Sequence, residues 1–409
     1  MKSKHFILKA YLALLVSFIS LIFSMIIVSE NRAQPPKNPP VQEARNVLEQ
    51  YLKRLKTFDL EGAKQFWNKD EVKGCPYFDW TISPPNDVKQ EIAMQCIGYN
   101  HEVVDSTLRQ DGIILTIRFT LKGEYKSWQA PDTIYRNRYL VKEADRWALA
   151  NPVKILTTGW NKHGSKYFDL HFSDQTMPDS LFYGYVDSSY QKMAALFGYV
   201  ITDEPIAYLC QSARELQQLS AYGRPVPARA LPECNTLFST FNESPRAKTL
   251  PEINMHLFSH EAIHILAFKM FGEDRWSVPL LREGFAVAFE GTGGIPPEVT
   301  FSWAKQAMEQ GKNLGLRALD DSRTFYSKEN RNYALAGSFV KFLLKKYGAE
   351  KFKVFYSRLS EPARLDVAMN EAYEKSVDEI GKEWEDFVAN TEISFDKKWS
   401  EFTLELVDR

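Results

Sequence analysis

His260-Glu261-Ala262-Ile263-His264, read onward to Leu281-Arg282-Glu283-Gly284-Phe285-Ala286, is the stretch that decides how the rest of the chain is read. Side chains four apart on a helix lie one turn apart on one face, so the imidazoles of His260 and His264 can converge on one metal ion. Glu261 sits about 100° round the helix, beside the ion rather than on it, where a general base for a metal-bound water belongs. Residues 265–282 leave room for the rest of that helix, a turn, and a second helix that brings the Glu283 carboxylate back. Two imidazoles and one carboxylate leave the fourth position of a tetrahedral zinc ion open, as a catalytic site requires.

Local chemistry supports both helices. Thr249 and Glu252 form a candidate capping box with Pro251 in the first turn, and Ile253, Leu257, Ile263, Leu266, Ala267 and Met270 are the apolar positions. With Gly272 as a stop, this predicts a helix over residues 250–271. Ser277 before Pro279 starts the second helix and Gly291 ends it. Glu283, Phe285, Ala286 and Phe289 recur at helical spacing, so the carboxylate shares a face with residues packed against the first helix. The competing reading, a surface helix with chance charges, weakens once the third carboxylate stands at this distance. His256, one turn before His260, reads as a helix-face residue, with a supporting role toward a ligand or substrate left open.

On these residues the chain resembles the gluzincin metallopeptidases of the aminopeptidase-N type, and more closely the compact bacterial peptidase MA-like domain. The specific part of the resemblance covers His-Glu-x-x-His, the Glu-Gly-Phe-Ala block and Glu290 two turns further on; looser patterns extend it over residues 165–390. It implies one catalytic zinc ion on His260, His264 and Glu283, and hydrolysis of an amide in a peptide or protein substrate. Glu261 would take the proton of water and pass it to the leaving amine. A hydroxyl donor is expected opposite the ion to meet the developing oxyanion. By resemblance Tyr333 is the first candidate for it and Tyr326 the second, with simple packing as the competing reading of each. Glu290 matches the family's outer carboxylate, which implies that it orients a ligand imidazole. One departure bears on substrate choice: the Gly-x-Met-Glu-Asn signature of aminopeptidase-N-type enzymes has no counterpart between residues 165 and 250, and Ala368-Met369-Asn370-Glu371 lies downstream on an expected helix. Endopeptidase action is therefore favoured over aminopeptidase action. Two other readings stay open, a membrane-tethered binding or scaffold protein whose zincin domain has lost turnover, and a zinc hydrolase of non-peptide amides or esters.

The 409 residues are enough for two or three domains and a sizeable core, and the 44% hydrophobic and 25% charged composition is ordinary for a globular chain. A formal net charge of -1 gives no electrostatic case for nucleic acid. Residues 10–28 are a nearly unbroken apolar run preceded by Lys2, Lys4, His5 and Lys9, long enough to cross the hydrocarbon layer with a cytoplasmic N-terminus. The expectation is a signal anchor over residues 1–34 with the bulk extracytoplasmic; the alternative is a secreted or periplasmic protein after signal cleavage. All four cysteines follow the run. Local pairing, Cys75 with Cys96 and Cys210 with Cys234, would place one bridge in each domain and contribute about 3 kcal/mol per loop, with four buried free thiols as the other reading.

In chain order, Pro35-Pro36-Lys37-Asn38-Pro39-Pro40 reads as a stiff linker. Ala44, Val47, Leu48, Tyr51, Leu52 and Leu55 predict an amphipathic helix over 41–56, and Asp59 caps another over 60–67. From 97 to 155 the period is two, with turns at Asp111-Gly112 and at 143–145. Helices and then a curved antiparallel sheet, over 41–156, resemble the cone-shaped nuclear-transport-factor-2-like fold, which would hold a ligand or dock a protein partner. The domain over 165–400 opens with strand, helix, strand, helix. A Pro-, Arg- and Ser-rich loop over 220–248 borders the cleft, and the rest is mainly helical. The turn at 291–297 reads as a plain connector or as a cleft wall or lid. Tyr333 opens a helix stopped by Gly348, and Ser376 with Glu379 caps the helix that bears Trp384. The fold class is α+β throughout.

Overall fold

The computed structural model of the protein describes residues 39–74, 98–125, 132–220, 225–272, 278–359 and 365–402. It is a mixed α+β structure with a four-stranded antiparallel sheet and a five-stranded mixed sheet. The expected anchor over 10–28, Ser277, Cys75 and Cys96 lie outside the described residues. Among the described residues no helix is long and apolar enough to cross a membrane.

Helix α1 (Pro39–Lys56) buries Ala44, Leu48, Tyr51, Leu52 and Leu55 at helical spacing. Pro39 and Pro40, expected in the linker, instead open this helix, where the missing N–H of proline has no intrahelical partner to lose. Asp59 caps α2 (Leu60–Lys64) by accepting the Gly62 N–H at 2.8 Å. The helix stops short of residue 67 because Trp67 pairs with Leu149 at the edge of the sheet. Strands β1 (Tyr99–Arg109), β2 (Gly112–Leu121), β3 (Thr133–Glu143) and β4 (Arg146–Ala150) form an antiparallel meander. In β2, Ile113, Leu115, Ile117 and Phe119 face the core shared with α1. The alternate residues work on the other face, where Thr116 bonds Asn137 at 3.0 Å and Arg118 bonds Glu102 at 2.5 Å.

The second sheet has the order β5-β6-β7-β9-β8, from β5 (Asn161–Gly164), β6 (Asp169–Phe172), β7 (Ile206–Cys210), β8 (Ala228–Leu231) and β9 (Thr236–Thr240). β6, β7 and β9 are parallel, and both edge strands are antiparallel to their neighbours. Helix α3 (Ser180–Leu196) crosses from β6 to β7 and ends where Gly198 turns with φ 63°. α4 (Ala213–Ser220) follows β7, with Ser212 on the Glu215 N–H at 3.2 Å. The central strands are buried on both faces, as parallel strands covered by helices must be. Ala207, Leu209 and Leu237 join the large core with α3, while Tyr208, Cys210 and Phe238 pack with Leu216 and Leu219 of α4. The region 220–248 is thus more than loop: it contributes β8, β9 and a short helix at Pro245–Thr249. Pro and Arg around these strands masked them, and each is too short to show a clear period alone.

Six longer helices complete the chain: α5 (Glu252–Phe271), α6 (Pro279–Glu290), α7 (Pro297–Glu309), α8 (Glu329–Arg358, broken at Gly348 with φ 82°), α9 (Leu365–Tyr373) and α10 (Val377–Asn390). α5 is buried on nearly every side, as a helix between a sheet and other helices must be. Its expected capping box does not form. Thr249 closes the preceding short helix by bonding the Pro245 and Arg246 carbonyls, and Glu252 pairs with Lys398 at 2.6 Å. The Ser376/Glu379 capping box of α10 does form. α6 and α8 touch at Gly284, where an added Cβ would stand 2.8 Å from the Ala336 carbonyl oxygen. Only glycine lets the two backbones approach so closely.

Cys234 is disulfide-bonded and Cys210 is a free buried thiol, so the expected bridge between them is not made. Cys210 points into the apolar layer beneath α4, and burial pushes its thiol well above the ordinary range.

Candidate metal centre

α5 and α6 lie against each other and bring the motif residues together. The rings of His260 and His264 have centroids 4.9 Å apart and an interplanar angle of 82°. Nδ1 of His260 lies 2.7 Å from the Gly291 carbonyl. A carbonyl only accepts, so Nδ1 carries the proton and Nε2 presents a lone pair. Oε2 of Glu283, on α6, stands 3.7 Å from Nε2 of His260 and 3.5 Å from Nε2 of His264. These separations are long for hydrogen bonds. They are near the edge of a tetrahedron, since donors bound at zinc-like distances lie about 3.3–3.4 Å apart. All three side chains are buried. The donor set, two imidazole nitrogens and a carboxylate oxygen, fits a divalent metal ion.

Glu261 stands alongside: one of its carboxylate oxygens and one nitrogen of each ring lie within 4.8 Å of one another. Burial pushes its carboxyl up, against the pull of His264 and His260, and the Ala230 N–H of β8 donates to it. Glu283 behaves oppositely. Burial alone would raise it, but Arg282 and the two imidazoles outweigh burial and hold it well below the usual carboxylate range. For His260, burial works downward, and Glu283 and Glu261 overcome it to raise the ring.

Arg282 was not a candidate from sequence. Its Nε donates to Oε1 of Glu283 at 2.9 Å, and its Nη2 donates to the Tyr326 hydroxyl. Tyr326 therefore reaches the site through Arg282. Tyr333 lies beside it, with ring centroids 6.5 Å from Tyr326 and 5.2 Å from Phe325, and acts on the charge of Arg282.

Glu290 is placed differently from expectation. Its Oε2 is 3.0 Å from Nδ1 of His256 and accepts from the Tyr185 hydroxyl at 2.8 Å, while Oε1 accepts from Ser189. The imidazole it orients is that of His256, one turn from His260. His260 is oriented instead by the carbonyl of the next residue, Gly291. That residue has φ 70°, and a Cβ on it would lie 1.8 Å from the Ile295 carbonyl oxygen. The turn after α6 therefore supports the His260 ring. Thr292 and Ile295 close it with backbone bonds of 3.1 and 3.0 Å.

Gly291, Ala230 and Arg282, which sequence reading misses, act through backbone atoms or through a side chain folded back on its neighbour. Gly291 and Ala230 offer a carbonyl and an N–H, which leave no trace in residue type. No protein-family model matches the chain, and no curated protein is detectably similar to it.

Proposed function

We propose that the chain is a zinc-dependent peptidase of the gluzincin type, with His260, His264 and Glu283 holding one zinc ion and Glu261 as general base. The observation that carries this reading is the placement of Glu283 Oε2 at 3.7 and 3.5 Å from the two imidazole nitrogens. Zinc in such a set supplies Lewis acidity toward a carbonyl and toward water.

The chain's own residues supply the rest. Glu261, with its carboxyl pushed up by burial, is suited to take a proton from the attacking water and return it to the leaving amine. The Ala230 N–H steadies it from the edge of the second sheet. Tyr333 and Tyr326 are the candidates to meet the oxyanion; Tyr326 accepts from Arg282 and so is held as a donor. β8 is the edge of its sheet beside Glu261, and an extended peptide can add to such an edge through main-chain hydrogen bonds. The missing amine-binding signature favours endopeptidase action.

The unit containing α1 and β1–β4 is read as a cone-like docking or ligand-binding module, and the second unit as a zincin domain. The disulfide at Cys234 supports an oxidising compartment, in keeping with a protein anchored through residues 10–28 and exposed outside the cytoplasm. Metal analysis and peptide cleavage by the natural chain and Glu261→Gln test the proposal. Both should hold one zinc ion per chain, and the variant should lose about a thousandfold in turnover. A natural chain without metal, or equal cleavage by the two proteins, would leave the tethered binding protein as the better reading.

A further inference from the structure

We propose that Arg282 is a positioning residue that makes Glu283 a one-oxygen ligand, with Tyr326 as its brace; this rests on the metal-centre reading above. A carboxylate has two oxygens and can grip an ion with either or both. In Glu283 they have separate tasks: Oε1 accepts from Nε of Arg282 at 2.9 Å, and Oε2 faces Nε2 of His260 and His264 at 3.7 and 3.5 Å. Committing Oε1 to the guanidinium fixes the rotation of the carboxylate and keeps a second metal bond from forming. The open coordination position is thereby kept for substrate or solvent.

Neighbouring residues on a helix project about 100° apart, so Arg282 must fold back along α6 to reach Glu283. Something has to hold it there. The Tyr326 hydroxyl accepts from Nη2, and the backbone that carries Tyr326 is itself tied down. The fully buried amide of Asn332, on α8, donates to the carbonyls of Thr324 at 3.0 Å and Phe325 at 2.8 Å. The ring of Phe325 is buried against Tyr326 and Tyr333. A path of direct contacts thus runs from α8 through Tyr326 and Arg282 to the ligand oxygen. Lysine keeps the charge of arginine but not its fork of donors, so it cannot reach both partners at once.

The test uses the full chain with Arg282→Lys, Arg282→Met and Tyr326→Phe. Zinc affinity is read by competition with a coloured chelator, and coordination number by the visible spectrum of the cobalt(II)-loaded protein. Four-coordinate cobalt absorbs strongly and five-coordinate cobalt weakly. Both Arg282 variants should bind zinc about 10–100-fold more weakly, with a weakened cobalt band, and Tyr326→Phe should fall between them and the natural chain. Should Arg282→Met fail to fold, Arg282→Lys and Tyr326→Phe carry the test. Rescue by lysine would reduce Arg282 to a charge. A lowered melting temperature with unchanged zinc affinity and cobalt band would reduce it to packing. Either result overturns the clamp while leaving the metal centre standing, whereas a natural chain that takes up no metal overturns both.

Discussion

The same two helices, α5 and α6, carry two buried histidine–glutamate clusters, and the two are built to opposite ends. At one, Glu290 touches Nδ1 of His256 at 3.0 Å and receives Tyr185 and Ser189 as well. Burial and Glu290 both push the Tyr185 phenol up, so it stays a donor. Every partner of that carboxylate is a protein donor at bonding distance. At the other, Glu283 keeps one oxygen 3.5 and 3.7 Å from two imidazole nitrogens, too far to close on either. Residue type is the same in both. The difference is whether neighbouring side chains complete the set or hold its atoms apart, and only the second arrangement makes room for an ion.

Exchanging the damage between the clusters gives the largest expected effect. Glu290→Ala removes the acceptor from the buried His256 ring and from the half-buried Tyr185 and Ser189 hydroxyls and should destabilise the fold by about 3–5 kcal/mol, while the surviving folded protein still binds metal. Glu283→Ala should lower zinc affinity about a hundredfold or more, and it should also cost the metal-free chain stability, because it removes the carboxylate to which Arg282 donates. Chemical denaturation and zinc competition on both variants check this. If Glu290→Ala lost metal as completely as Glu283→Ala, the two clusters would be one functional unit and the contrast would fail.

Gly291 links them, since it follows Glu290 and its carbonyl meets His260. Gly291→Ala would force a side chain onto a backbone with φ 70° and against the Ile295 carbonyl. The expected cost is about 1–3 kcal/mol, with zinc binding weakened about tenfold as the carbonyl leaves Nδ1. Thermal melting with and without zinc separates the two effects. Lost stability with intact zinc affinity would show that the carbonyl does not orient the ring.

This contrast explains how much could be read in advance. His260, Glu261, His264 and Glu283 were legible because helical spacing fixes which faces meet, and the structure brings all four together. The alternation of Ile113, Leu115, Ile117 and Phe119 likewise marked a half-buried strand. The partner of Glu290 was misassigned because spacing places Glu290 on the right face but cannot say which turn of α5 it meets. β8 and β9 escape a reading of the sequence because such short strands owe their existence to the pairing of β9 with β7, of β8 with β9, and to packing on α5, and the partners β7 and α5 are not local. Asn332 lies eight residues beyond Thr324, and nothing in that spacing announces that its amide holds a turn in place.

A third carboxylate, on the surface, sharpens the comparison by removing burial from it. Glu383 of α10 has a donor set as complete as that of Glu290, with Tyr347, Lys375 and Lys346 all on its oxygens. Although partial burial works to raise it, the Lys375 ammonium, the Tyr347 hydroxyl and Lys346 bring its carboxyl down to about 2. A depressed carboxylate contributes stability that is fully present above its unfolded value and is lost as the pH falls through the folded one. The contribution of Glu383 should therefore be complete above about pH 5 and fade toward pH 2. Solvent screening at this half-exposed site limits it to about 1 kcal/mol or less. In urea titrations, Glu383→Gln should be less stable than the natural chain at pH 7, with the gap closing by pH 2–3. A gap that stayed constant with pH would mean that Glu383 acts through packing, and that a complete donor set stabilises mainly where, as at Glu290, it is also shut away from water.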